Sequence, residues 1–391
     1  MRRVELSNFK DAKVALVLSG GVVKAASWHI GVGLALEELG FSLKSNKSIE
    51  SSLEISTYVG SSAGALISLY FASGFGPMEI IQAHLNKDKS GLKPITYKDM
   101  LTFRSDIQKP PRGRNYSPFE EFPTLLKTFI NPLLNFNGLF STSGLRDYLE
   151  RNVLISNNFQ DYLADVFVVA TQLDHSRKVI FSKYNYPRPY HDSSASYYTD
   201  TPISESVAAS MSVPPFYSPS PVKNPVTKQT DYYIDGEIRE TLSTHVAIDN
   251  KCDFVISSWT HTPYHYQDAI GSLVNYGLPA ICTQAIYLMI QKKIVASRAR
   301  RVASRDIIST VNEYLKSNKF SEEHRRNLTS LLERKLNFNP KVHFIDIFPS
   351  HKSYDIFFKN SFSLNPENMR TMVQLGYKRT IEVFKRQEWE S

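Results

Sequence analysis

The sequence predicts an α/β protein: a central, largely parallel sheet covered by helices on both faces. Three observations predict it. Continuous apolar runs of strand length recur, several end in small residues, and segments with helical patterning separate them. Such runs suit strands buried on both faces of a parallel sheet. Regular strand–helix alternation implies βαβ units.

VALVLSG, from Val14 to Gly20, predicts the first strand. A helix from about Lys24 to Leu39 follows, with Gly40 where a C-terminal cap glycine belongs. LEISTYVG predicts a second strand and AGALISLYFASG a second helix. Residues from about 86 to 140 break this rhythm, and KPPRGRNYSPFEEFP within them carries four prolines. This stretch reads as a long surface insertion, or as a lid or wall of a substrate groove. The sheet resumes at DVFVVATQLD (165–174) and KVIFSKY (178–184). ESVAASMSV (205–213) predicts a short helix cut off by Pro214 and Pro215. DYYIDG (231–236) is a strand running into a turn, CDFVISSW (252–259) another buried strand, and KVHFIDIFP (341–349) the last. Helices are expected over 270–335 and 366–387. The expected organisation is one domain over 1–391, with a core at about 14–260 plus 341–385, an insertion or lid at about 86–137 and a helical region at about 265–335.

A chain of 391 residues, 42% hydrophobic and 21% charged, can bury a substantial core. Its two cysteines, Cys252 and Cys282, form neither a metal-ligand spacing nor a disulfide framework, so a reducing compartment is expected. The net charge of +8 favours anionic partners such as lipid headgroups or nucleic acid. No helix-turn-helix, zinc-finger or RNA-binding signature accompanies it, so no nucleic-acid partner is expected. MRRVELSNFKDAK at the start has no apolar centre and does not resemble a secretory signal.

The apolar stretch Leu273–Ile290 contains Asn275, Pro279, Thr283 and Gln284, and is expected to be too interrupted for a transmembrane helix. Val274, Leu278, Ile281, Ala285 and Leu288 nevertheless make one helical stripe. That stripe either packs into the core or meets a bilayer. Lys292, Lys293, Arg298, Arg300, Arg301 and Arg305 follow it, and basic clusters beside an apolar face attract anionic lipid. The expected location is cytoplasmic, with peripheral contact to an anionic membrane surface. Oligomeric state is left open.

The chemistry is carried by a few short motifs. G-x-S-x-G is satisfied by Gly60, Ser62 and Gly64, with a strand before and a helix after. That context makes Ser62 a candidate nucleophile on a strained strand-to-helix elbow. The helix N-terminus behind it contributes free N–H groups and the positive dipole end. A nucleophilic serine needs an oxyanion site and a base. Gly20, Gly21 and Val22, between the first strand and its helix, offer main-chain amides for the first. The loop matches neither G-x-G-x-x-G nor G-x-x-x-x-G-K-[ST], which argues against nucleotide binding. Asp235, at a strand end and followed by Gly236, is the candidate base, although an Asp-Gly after a strand is also an ordinary turn.

Together these pieces resemble the patatin-like phospholipases and acyl hydrolases. SGGVVKAASWHIGVGLALEELG is similar to the family's glycine-rich loop and first helix, GSSAG to its elbow, and IDGEI to its Asp-Gly motif. GLFSTSGLRDYL, VVATQLDHSRKVIFS, SVAASMSVPPFYSP and LGYKRTIEVF resemble recurring family segments. The resemblance implies a patatin-like three-layer sandwich and a Ser62–Asp235 dyad. It further implies an oxyanion hole from Gly20, Gly21 and Val22, Lys24 in the family's basic position, no metal or organic cofactor, and a lipid or phospholipid substrate. Three positions depart from the pattern. Val22 stands for the family's third glycine, Ala25 for the glycine after the basic residue, and Glu237 follows Gly236 where the family has a small residue. The last is expected to change access more than chemistry.

Two rivals stay open on sequence. His261 gives Ser62, Asp235 and His261 the chain order of a triad esterase or acyltransferase. A catalytically impaired lipid-binding or interaction protein on the same fold is the other.

Overall fold

Alternation within the first strand explains how the molecule is layered. In β1 (Val14–Leu18), Val14, Leu16 and Leu18 face one apolar core, while Ala15 and Val17 face another on the opposite side. A strand apolar at every position is therefore a strand covered twice. The structure, a computed structural model, describes residues 9–48, 51, 53–85, 91–103, 137–186, 195–350 and 353–386.

Helix α1 (Val22–Glu38) returns from β1 to β2 (Glu54–Ser61), which leads into α2 (Ala63–Ala72). After the insertion come β3 (Asp165–Gln172), β4 (Arg177–Ser182) and β5 (Ala195–Tyr198). Next are α3 (Ile203–Ser210), β6 (Ser220–Lys223), β7 (Thr230–Asp235) and β8 (Phe254–Ser258). The chain then makes α4 (Gly277–Ser317), α5 (Glu322–Leu336), β9 (His343–Ile347) and α6 (Pro366–Arg386). The main path of the ten-stranded sheet runs β9-β8-β1-β2-β3-β7-β6, and β4 pairs with the other edge of β3. Pairing is parallel from β9 through β3 and antiparallel where β4 and β7 join β3. This is the α/β sandwich with a largely parallel sheet that the alternation predicts. Most of the expected insertion at 86–137 falls on 86–90 and 104–136, outside the described residues.

Helix α6 closes the first layer against α1. A Cβ on Gly31 would lie 2.0 Å from the Val373 carbonyl oxygen, and one on Gly376 would lie 2.3 Å from that of Trp28. The two helices thus touch backbone to backbone, which explains why the glycine of LGYKRTIEVF is needed.

The segment after β8 departs from expectation. Pro279 falls in the first turn of α4, where its missing N–H is no loss, so it does not interrupt the helix. Leu273–Ser317 is long and apolar enough, by length and composition alone, to cross a membrane. The stripe is not in the core: Val274 and Leu278 are 72% and 71% exposed, and Ile281, Ala285 and Leu288 are exposed too. Tyr287, Ile290 and Ile294 instead hold the helix to the domain.

Substituting Gly376→Val should force α1 and α6 apart. The expected loss is about 2–3 kcal/mol, as for other overpacked contacts, read from urea unfolding midpoints; an unchanged midpoint would refute the close contact.

Candidate active site

Strand β2 ends at Ser61 and α2 begins at Ala63, leaving Ser62 at the corner with φ 53° and ψ −124°. A non-glycine residue in this region is strained, and such strain concentrates at functional sites. Small neighbours permit the corner. A Cβ on Gly60 would lie 2.4 Å from the Ala65 nitrogen, and one on Gly64 would lie 2.2 Å from the Leu18 carbonyl oxygen. The Ser62 N–H donates to Ser210 Oγ at 2.8 Å, and that hydroxyl donates to the Val169 carbonyl at 2.6 Å. Ser210 thus ties the elbow to β3. Sequence reasoning quotes its segment but does not single it out, because a serine in a short helix carries no signal of a long-range bond.

Asp235 arrives along the same edge of β3 from the opposite direction. Ser61, the last residue of β2, pairs with Val169, and Asp235, the last residue of β7, pairs with Ala170. Two strands of opposite sense therefore meet tip to tip on consecutive residues of one strand. The Ser62 side chain neighbours the Asp235 carboxyl and favours its charged form. Asp235 Oδ1 accepts the Glu237 N–H at 2.8 Å, and the Asp235 N–H donates to the Ser212 carbonyl at 2.9 Å. Complete burial raises the Asp235 pKa to about 7, against the opposing pull of the Ser62 and Glu237 hydrogen bonds. Gly236 is pinned beside them, since a Cβ there would lie 2.3 Å from the Val169 carbonyl oxygen.

The loop from β1 to α1 faces this corner. Gly21 has φ 124°, and Val22 has φ 56° although it is β-branched. Val22 therefore keeps the left-handed backbone suited to glycine, at a cost of about 1–3 kcal/mol. Among the described residues the Gly21 and Val22 amides have no acceptor, whereas the Gly20 N–H donates to Glu237 Oε1 at 2.7 Å. Buried His29 braces the loop: Nε2–H donates to the Ser19 carbonyl at 2.9 Å, and Nδ1 accepts from Ser258 Oγ at 3.1 Å. Burial lowers its pKa to about 4, so the ring is neutral.

Two sequence candidates border the site without bonding to the Ser62–Asp235 pair among the described residues. Lys24 Nζ donates to the Tyr287 hydroxyl of α4 at 2.8 Å and makes no bond to Ser62 or Asp235. His261 packs edge-on against Tyr287, and its Nδ1 is 3.9 Å from Glu237 Oε2. No hydrogen bond joins it to Asp235 or Ser62 among the described residues, and burial lowers its pKa to about 3. An apolar slot opens beside the elbow, walled by Val22, Ala26, Ile30, Ala63, Ile67 and Met211.

A strained serine between a parallel strand and a helix, facing a buried aspartate and unengaged amides, defines an α/β protein of the serine-elbow class. The sequence pattern of the patatin-like phospholipases matches residues 16–248. The chain belongs to that family, whose members are lipid acyl hydrolases. Among solved structures, that of VipD from Legionella pneumophila aligns at 14% identity with a TM-score of 0.41, covering 96% of this chain and 67% of that one. No curated protein matches.

The burial of Asp235 has a thermodynamic signature. Its folded pKa of about 7 lies above the ordinary aspartate value of 3.8. Its ionisation therefore stabilises the unfolded chain first, and the penalty to the fold grows from pH 4 to pH 7. Above that it levels off at about 4 kcal/mol. Asp235→Asn should raise the melting temperature at pH 8, and the gain should vanish toward pH 4. A gain that does not depend on pH would contradict this assignment.

Proposed function

We propose that this protein hydrolyses lipid acyl esters through a covalent intermediate on Ser62, with Asp235 as the base. The observation that carries the reading is the convergence of two strand ends on the β3 edge: Ser61, just before Ser62, pairs with Val169, and Asp235 pairs with Ala170. Ser62 Oγ attacks the ester carbonyl carbon while its proton passes to Asp235. The carbonyl oxygen takes up the negative charge facing the amides of the Gly20–Val22 loop. Collapse breaks the ester bond, and the leaving alcohol takes the proton from Asp235. Water then attacks the acyl-enzyme, gives its proton to Asp235, and the released carboxylic acid frees Ser62 Oγ, which recovers that proton. A base with a pKa near 7 suits both directions of transfer. Phospholipids or lysophospholipids are the substrate class that the family favours, and the slot beside Ala63 suits an acyl chain.

The exposed face of α4 supports work at a lipid surface. Leu278, Ile286 and Met289 are 71%, 55% and 63% exposed, while Tyr287 of the same helix contacts Lys24 and His261 beside the site. An apolar helix face with basic neighbours lies in a bilayer interface. Not all of the expected basic cluster is available for this. Arg298 and Arg301 ion-pair with Asp346, Arg305 stacks over Phe338, and Lys293 donates to the Ile238 and Arg239 carbonyls. Lys292 and Arg300 are exposed.

Lipid product analysis tests the chemistry. Ser62→Ala should lose up to about 10⁶ in turnover, and Asp235→Ala should be similarly inactive. His261→Ala should keep most activity; a loss of several orders of magnitude would restore the triad reading. kcat/KM should fall tenfold per pH unit below an apparent pKa near 7, as Asp235 takes up a proton. For membrane contact, Leu278→Asp with Met289→Asp should weaken vesicle sedimentation. Lys292→Glu with Arg300→Glu should remove part of its salt dependence. Binding indifferent to all four changes would exclude α4 as the interface.

A further inference from the structure

Glu237 does more than alter access. Its Oε1 accepts the Gly20 N–H at 2.7 Å, across the mouth of the elbow. A Cβ on Gly20 would lie 2.6 Å from Glu237 Cγ and 2.7 Å from Ser62 Cβ. Glu237 and Ser62 therefore crowd the same glycine, and the carboxyl takes up the Gly20 N–H, one of the loop amides beside Ser62. The side chain is 11% exposed, beside Asp235 and facing His261. Burial and the neighbouring Asp235 hold its pKa well above the usual carboxylate range, with Lys293 opposing from α4. A protonated carboxyl offers Gly20 a carbonyl oxygen, as an ester does.

We infer that the Glu237 side chain is a built-in occupant of the oxyanion corner, which the substrate carbonyl has to displace before Ser62 is acylated. This rests on the proposed Ser62 chemistry. The residue acts by holding a main-chain donor that the transition state needs, so it sets the rate of acylation without taking part in bond making. It also ties the site to the lipid-facing helix. Glu237 stands in a short turn, Gly236–Ile238, and Lys293 of α4 grips the Ile238 and Arg239 carbonyls at 2.9 and 3.3 Å. Any shift of α4 is passed to the turn that carries the occupant.

The test compares wild type, Glu237→Ala, Glu237→Gly and Glu237→Gln in two assays. One is kcat/KM for the soluble ester p-nitrophenyl butyrate; the other is the rate of Ser62 labelling by a fluorophosphonate. One oxyanion donor is worth about 10²–10³ in turnover. The alanine and glycine variants should therefore raise both rates about tenfold or more, a gain that a merely structural role would not produce. Glutamine keeps the shape and an acceptor for Gly20, and should stay within about threefold of wild type. The inference is overturned if alanine and glycine both leave the rates unchanged or lower them while wild type labels at Ser62; the hydrolase reading would then stand. It is also overturned if glutamine accelerates as much as alanine, since that would assign the effect to charge rather than occupancy. Failure of every protein to label would sink the Ser62 reading and this inference together.

Discussion

One hydrogen-bonded edge governs the whole site. The edge of β3 takes β2 as a parallel partner up to Val169, and β7 as an antiparallel partner from Ala170 onward. Ladder spacing then brings Ser61 and Asp235 together without any need for loop chemistry. The same edge recruits Ser210 through the Val169 carbonyl, and leaves no room beyond hydrogen at Gly236. Changing the register of β7 by one residue would turn Asp235 to the other face of the sheet, and a slip of β2 would move the Ser62 corner instead. The spacing of Ser62 and Asp235 is thus a property of strand register, which cooperative folding protects.

The second constraint is the absence of compensating charge. Asp235, Glu237, His29 and His261 are all buried at this corner, and burial moves each toward its neutral form. The carboxyls rise and the imidazoles fall, so the resting corner holds polar groups with little net charge. Lys24, the nearest buried cation, is engaged by Tyr287 and the Ile356 carbonyl. In such surroundings the main-chain amides are well placed as partners for a developing oxyanion. Burial and the neighbouring Asp235 favour the neutral form of the Glu237 carboxyl that rests on Gly20.

What the sequence reveals follows the range of the interactions involved. The strand–helix alternation and the elbow are local, so the runs from Val14 and Glu54 and the G-x-S-x-G around Ser62 can be read directly. Asp235 by itself is indistinguishable from a turn residue, and only its place in an ordered set of motifs marks it. Val22 misleads in the other direction. As a valine it argues for a changed loop, yet its backbone retains the left-handed φ of 56° because its neighbours over-determine it. Pairings between distant positions, such as Glu237 with Gly20 or Lys24 with Tyr287, leave no local pattern. The stripe on α4 shows the limit of periodicity: spacing defines a face, but not what covers it. Here Tyr287, Ile290 and Ile294 take the core side, and Val274, Leu278 and Ile281 are left outside.

The exposed face and the occupied corner have a common physical logic. An apolar surface that meets only water is costly, at roughly 25 cal/mol per Å², and α4 displays several large apolar side chains along one helix. The helix is bound to the domain by few contacts near the site: Tyr287 to Lys24, Gln284 to the Tyr264 backbone, and Lys293 to the turn after Asp235. Those contacts converge on the loop and the turn that frame Ser62. If α4 enters a lipid interface as proposed, its grip on the turn carrying Glu237 would link contact with lipid to access at the oxyanion corner. Away from lipid, a nucleophile in a strained elbow would otherwise stand open to water and to stray esters. On the proposed chemistry, an occupant supplied by the turn itself would close that route, since Glu237 is only two residues from Asp235.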